Sequence, residues 1–178
     1  MFSLTLLSLG CKFDLVNIRT ACPKAVIELR YATMNNVFGK ALYTSDQCLI
    51  STSTAKKLDQ AIIAAATSGL QIKVFDAYRP PEVTSQMWKL APDRHYFANP
   101  KRGSVHNKGR AVDLTLLNSN GTELDMGTHF DSLRPLSGWK AKAITIQQAT
   151  NRSLLKSIMT SAGFKTISTE WWHWEDRG

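Results

Sequence analysis

Two periodicities run through this chain. Leu58, Ile62 and Ala65 recur at helical spacing after Ser51 to Thr54, which offer N-cap side chains, and Gly69 supplies a stop. A helix is therefore expected to about Ser68. A second is expected over about Asn151 to Ala162, with Leu154, Leu155, Ile158 and Met159 buried and Gly163 as its C-cap. A shorter one is expected near Glu82 to Leu90. Strand-like runs lie between them: AVIELRYA (Ala25 to Ala32), QIKVFDAY, and AVDLTLL from Ala111. Arg79-Pro80-Pro81 ends the second of these. NNVFGKALY is turn-rich, and a loop containing Pro, Asn and Gly runs to Gly103. FKTIST and the tryptophan-rich end of the chain complete the sheet. Regular βαβ spacing is absent, so the pattern predicts an α+β fold, a mostly antiparallel central sheet flanked by helices.

Composition narrows the function classes. With 43% hydrophobic and 20% charged residues, 178 residues read as one globular domain, taken as 12–178. Lys and Arg exceed Asp and Glu by 22 to 14, but the cations are scattered and no nucleic-acid motif accompanies them. Nucleic acid is therefore not an expected partner; an anionic substrate or envelope suits the charge better. The opening run MFSLTLLSLGC is too short to span a bilayer. It is expected to be a signal or lipoprotein segment, residues 1–11, with a lipid anchor at Cys11 and a periplasmic or cell-envelope location. A cytoplasmic location with a simple N-terminal strand is the alternative. Removing Cys11 leaves Cys22 and Cys48, a pair able to bridge in an oxidising compartment.

The chemistry starts from one costly residue. Val112, Leu114 and Leu116 share a face of their strand, while Asp113 and Thr115 point to the other. A carboxylate inside an apolar strand is expensive to bury unless something neutralises it. His106 lies seven residues upstream, and Gly109 lets the intervening loop turn back over that face. At the chain's end, STEWWHWEDRG places Glu170 and His173 among Trp171, Trp172 and Trp174, side chains that make a dry wall and strengthen neighbouring charges. His106, Asp113 and His173 then supply three ligands and leave a fourth position for water, the open arrangement of a catalytic zinc. Residues three apart on a regular strand face opposite ways, so Glu170 joins His173 only if the chain bends between them. Glu170 is accordingly expected beside the ligands, as a base that deprotonates water and delivers the proton to a leaving amine.

Ser104-x-His106-x-x-Gly109-x-Ala111-x-Asp113, followed by Glu170-Trp171-Trp172-His173, resembles the zinc D-alanyl-D-alanine dipeptidases of the VanX type. These belong to the wider D,D-peptidases that share a fold with Hedgehog signalling domains. LRYATMNNVFGKALY, FDAYRPPEV and MGTHFDSLRP match in order, so the likeness runs from about Leu15 to Trp174. The resemblance implies one zinc per chain on His106, Asp113 and His173, with Glu170 as general base and acid. It implies Arg79 as the stabiliser of the oxyanion, a role suited to a guanidinium fixed at a strand end. It also implies that Tyr31 and Asp131 hold the substrate's free ammonium and that Ser104 lies near its free carboxylate. A site that clamps both ends of a dipeptide rejects longer peptides, whose extra residues leave a buried charge unpaired.

The function the resemblance implies is hydrolysis of D-alanyl-D-alanine or a close D,D-dipeptide, which would place the chain in cell-wall chemistry. A D,D-carboxypeptidase acting on peptidoglycan stems is the alternative enzyme. A zinc-containing binding module without catalysis is the alternative of another class, and Glu170 and Arg79 argue against it.

Overall fold

The computed structural model describes residues 14–178. The apolar run 1–11, with its expected signal or anchor role at Cys11, lies outside the described residues. In chain order the elements are β1 (Leu15–Asn17), α1 (Ile18–Ala21), β2 (Val26–Ile27), β3 (Leu49–Ser51), α2 (Thr52–Thr67), β4 (Gln71–Asp76), α3 (Pro81–Leu90), β5 (Ala111–Leu117), α4 (Ile146–Ser161), β6 (Lys165–Thr166) and β7 (His173–Glu175). Strands β1 and β3 pair in a small antiparallel ribbon, and the main sheet has the order β2-β4-β5-β7-β6.

The α+β class holds, with one correction to the sheet. Pairs β4–β5, β5–β7 and β6–β7 are antiparallel, but β2 runs parallel to β4, so the sheet is mixed. The expected strand over Ala25 to Ala32 is also shorter. Only Val26 and Ile27 pair, and Arg30–Ala32 coils into a 3-10 turn. That turn buries Tyr31 against Leu42, Val83 and Met87. Tertiary burial of one aromatic thus overrides the local β-preference.

The helices follow their caps. Ser51 accepts a hydrogen bond from the Thr54 amide and starts α2, whose Leu58, Ala61, Ile62 and Ala65 are buried. Helix α4 begins earlier than the hydrophobic spacing indicates. Thr145 and Gln148 form a reciprocal capping box that adds a polar first turn from Ile146. Leu155, Ile158 and Met159 are buried as expected, whereas Leu154 is half-buried. These helices share one core with Ile72 and Val74 of β4 and with Val112, Leu114 and Leu116 of β5. Alternation along β5 sends Asp113 and Thr115 to the other face, where the chemistry collects. Cys22 and Cys48 are buried free thiols, not a bridge, and burial pushes Cys22 up to about 11. No helix among the described residues is long and apolar enough to cross a membrane.

Candidate active site

The sheet register builds a row of polar groups. Asp113 of β5 lies directly across from His173 of β7 on one side and from Asp76 of β4 on the other. A bulge at Phe75 makes the second pairing possible, because the register shifts between Val74 and Asp76. Without that extra residue Phe75 would stand opposite Asp113. His106 approaches from a short 3-10 turn, Val105–Lys108, capped by Ser104 and closed by Gly109 in the left-handed conformation at φ 63°. A Cβ at position 109 would meet the Ser51 backbone nitrogen at 2.8 Å, so glycine is the residue that fits the crossing.

Three ligand atoms converge there. His106 Nε2 is 3.2 Å from His173 Nδ1, His173 Nδ1 is 2.9 Å from Asp113 Oδ1, and His106 Nε2 is 3.4 Å from Asp113 Oδ1. All three side chains are buried. The far nitrogens have partners: His106 Nδ1 donates to the Ala77 carbonyl at 2.6 Å, and His173 Nε2 lies 3.2 Å from Glu175 Oε1. Burial alone would lower the His173 pKa, but Asp113 and Glu175 on either side raise it to about 10. His106 and His173 conversely hold the Asp113 carboxyl well below the usual carboxylate range, against its burial. One carboxylate oxygen and two imidazole nitrogens converging at this distance make a donor set that suits a metal cation at the centre of the triangle.

Arg79 borders the same row. Its backbone N–H donates to the His106 carbonyl at 3.1 Å, and Asn107 Nδ2 donates to the Arg79 carbonyl at 2.7 Å, so the strand end and the 3-10 turn are tied together. Nε and Nη2 donate to Asp76 Oδ2 at 2.9 and 2.6 Å, and Nη2 lies 3.6 Å from Asp113 Oδ2. The guanidinium also stacks 5.3 Å from the Tyr31 ring centre. Burial opposes its charge, but Asp76 and its other neighbours keep the arginine firmly protonated.

Among the described residues that line this site, Asp131 alone has a buried polar side-chain atom without a hydrogen-bond partner. Tyr31 donates its hydroxyl to Asp131 Oδ1 at 2.8 Å, while Asp131 Oδ2 is buried without a hydrogen-bond partner. Asp131 is also the single non-glycine residue with positive φ, 59°, among the described residues. Such strain persists only where the surroundings over-determine it. Arg152 of α4 does so here: its Nε, Nη1 and Nη2 donate to the carbonyls of Met126, Gly138 and Leu136 at 2.7, 2.9 and 2.9 Å, clamping the loop on both sides of Asp131. Burial pushes the Asp131 carboxyl up to about 7, with the Tyr31 bond pulling the other way.

Every site residue expected from the sequence lines one cavity of about 310 Å³: Tyr31, Arg79, Ser104, His106, Asp113, Asp131, Glu170 and His173. Chain direction breaks at Ser168–Trp172, ahead of β7, which lets Glu170 and His173 face the same space. Burial pushes Glu170 up to about 7, against the pull of His173. Ser104 Oγ accepts the His106 N–H at 3.2 Å, leaving its own hydroxyl proton to donate. Of the terminal tryptophans only Trp172 borders the cavity; Trp171 and Trp174 are core residues.

Comparison with known proteins adds the family. The peptidase M15 profile, described as D-ala-D-ala dipeptidase, matches residues 11–178. The chain belongs to this family. It is 40% identical over 162 residues to the D-alanyl-D-alanine dipeptidase of Escherichia coli (strain K12), covering 91% of this chain and 84% of that one. It is 32% identical to the D-alanyl-D-alanine dipeptidase of Enterococcus faecium and 30% to that of Streptomyces coelicolor, with 83% of both partners covered in each case.

M15 enzymes are metallopeptidases, and the donor set here fits a metal. Zinc with ligands at about 2.0–2.1 Å in a tetrahedron sets them about 3.3 Å apart. The three separations of 2.9, 3.2 and 3.4 Å scatter around that edge. His106, Asp113 and His173 are the one group of the kind among the described residues. Three members of the site lie outside the set expected from the sequence: Asp76, Glu175 and Arg152. Asp76 ends an apolar strand just as Asp113 interrupts one, a signal that was present. Glu175 sits two residues from His173, which on a strand means the same face. Arg152 carries no local signal, since its partners are carbonyls 14 to 26 residues away.

Proposed function

We propose that this chain is a zinc-dependent D,D-dipeptidase that hydrolyses D-alanyl-D-alanine or a close analogue, with one zinc held by His106, Asp113 and His173. The observation that carries the dipeptide reading is the buried, partnerless Oδ2 of Asp131 in the same cavity as the ligand triangle. An unpaired buried acceptor costs about 1–3 kcal/mol, more for a charged group, and a substrate ammonium removes that cost. Tyr31 then acts mainly through Asp131, engaging Oδ1 and leaving Oδ2 to pair with the substrate. Ser104, whose hydroxyl proton is free, suits the carboxylate at the other end.

When bound, the zinc supplies the positive charge that makes water nucleophilic at neutral pH and polarises the scissile carbonyl. Glu170 accepts the proton of the attacking water. A pKa near neutrality suits a group that must take up that proton and then release it to the leaving amine. Arg79 faces the carbonyl oxygen with a charge held in place by Asp76, so little reorganisation is needed as negative charge develops. Trp172 and the buried walls exclude water and strengthen each of these interactions.

The test compares purified, zinc-loaded protein on D-Ala-D-Ala and on a stem pentapeptide ending in the same two residues. Release of D-alanine from the dipeptide, with the pentapeptide about 30-fold or more slower in kcat/KM, is expected from a buried charge left unpaired at a cost of about 2 kcal/mol or more. Comparable rates on both would reassign the chain to D,D-carboxypeptidase action.

A further inference from the structure

We propose that Glu175 is a positioning residue for the metal, fixing His173 in the tautomer and orientation that turn Nδ1 toward Asp113 and His106. This inference rests on the zinc reading above. His173 and Glu175 are alternate residues of β7 and so project from one face. The residue opposite Glu175 on β5 is Ala111, whose methyl group leaves room for the carboxylate to fold back along the imidazole.

A neutral imidazole carries one proton, and the hydrogen bond at one nitrogen decides which nitrogen keeps a lone pair. The two histidines solve this differently. For His106 the acceptor is the backbone carbonyl of Ala77 at 2.6 Å, so Nε2 is left as the donor atom. For His173 the acceptor is Glu175 Oε1 at 3.2 Å from Nε2, and Nδ1 is left facing Asp113. Glu175 is itself steered: Arg177 Nε donates to Oε2 at 2.7 Å, and the Glu175 side chain is only 12% exposed. A carboxylate so placed does not belong to the ligand triangle, and it reaches the metal only through the imidazole. Carboxylates behind ligating histidines raise ligand basicity and hold the ring, and losing one weakens metal binding about 10- to 100-fold.

The readout is zinc affinity by chelator competition, together with the visible spectrum of the cobalt-loaded protein, which reports ligand geometry without any turnover. Glu175→Ala is expected to bind zinc about 10- to 100-fold more weakly and to alter the cobalt spectrum. Glu175→Gln, which keeps an acceptor oxygen, is expected to recover most of the affinity. Should the alanine chain fail to fold, Glu175→Met replaces it, being of similar length without a strong acceptor. Wild-type zinc affinity and spectrum in Glu175→Ala or Glu175→Met would overturn the positioning role alone. So would a glutamine variant as weak as the alanine one. A wild-type chain that binds no zinc would overturn the zinc reading and this role together.

Discussion

The ligand triangle and the Asp131 corner share one cavity but are held in opposite ways. Asp113 and His173 sit on paired strands, and His106 on a capped turn stitched to Arg79 by backbone bonds. Each histidine has its far nitrogen satisfied, by Ala77 or by Glu175. Asp131 sits on a loop with a left-handed backbone and one oxygen that no described residue answers. On the proposed reading, the triangle is therefore a site the fold completes except for its cation. On the same reading, the Asp131 corner is left open for a substrate charge, with Arg152 supplying the rigidity that strands supply elsewhere. Rigid support with one missing partner is how a protein stores selectivity for a charged group.

The largest effect should come from breaking the triangle. His106→Ala or His173→Ala removes one of three ligands and is expected to abolish both bound metal and turnover, read by metal analysis alongside the dipeptide assay. Retained stoichiometric zinc in either variant would remove that residue from the ligand set. Next is Glu170, which borders the triangle without belonging to it. Glu170→Gln is expected to keep one zinc per chain while kcat falls about 10²- to 10⁴-fold. Loss of metal in that variant would move Glu170 among the ligands. The smallest effect on chemistry belongs to the support of the other corner. Arg152→Ala deletes three bonds to carbonyls and is expected to cost about 2–4 kcal/mol of stability. In the folded fraction it should raise KM for the dipeptide while leaving zinc content intact. An unchanged KM would show that the loop holds Asp131 without its clamp.

Why the triangle was readable and the corner was not follows from where each signal is stored. Asp113 inside AVDLTLL violates the apolar pattern of its own strand, and the violation announces itself within seven residues. The expectation that His173 and Glu170 require a bend also follows from strand geometry, and the break before β7 matches it. The Phe75 bulge that aligns Asp76 with Asp113 leaves no comparable trace, because KVFD carries no glycine or proline to mark it. The parallel pairing of β2 is a long-range choice, and the 3-10 turn at Arg30–Ala32 forms because Tyr31 buries, not because its neighbours prefer it. The roles of Tyr31, Asp131 and Ser104 came from resemblance, since no spacing within the chain links Tyr31 to a carboxylate 100 residues away.

The central claim is that Asp131 waits for a free ammonium, and kcat/KM for D-Ala-D-Ala against N-acetyl-D-Ala-D-Ala tests it directly. Acetylation removes the cation and leaves a buried carboxylate unanswered, a loss of about 2–5 kcal/mol. At about 1.4 kcal/mol per decade the acetylated substrate should fall about 30- to several-thousand-fold in wild type. Asp131→Asn should narrow that ratio by weakening the free dipeptide more than the acetylated one. Equal kcat/KM for the two substrates in the wild-type enzyme would contradict the account.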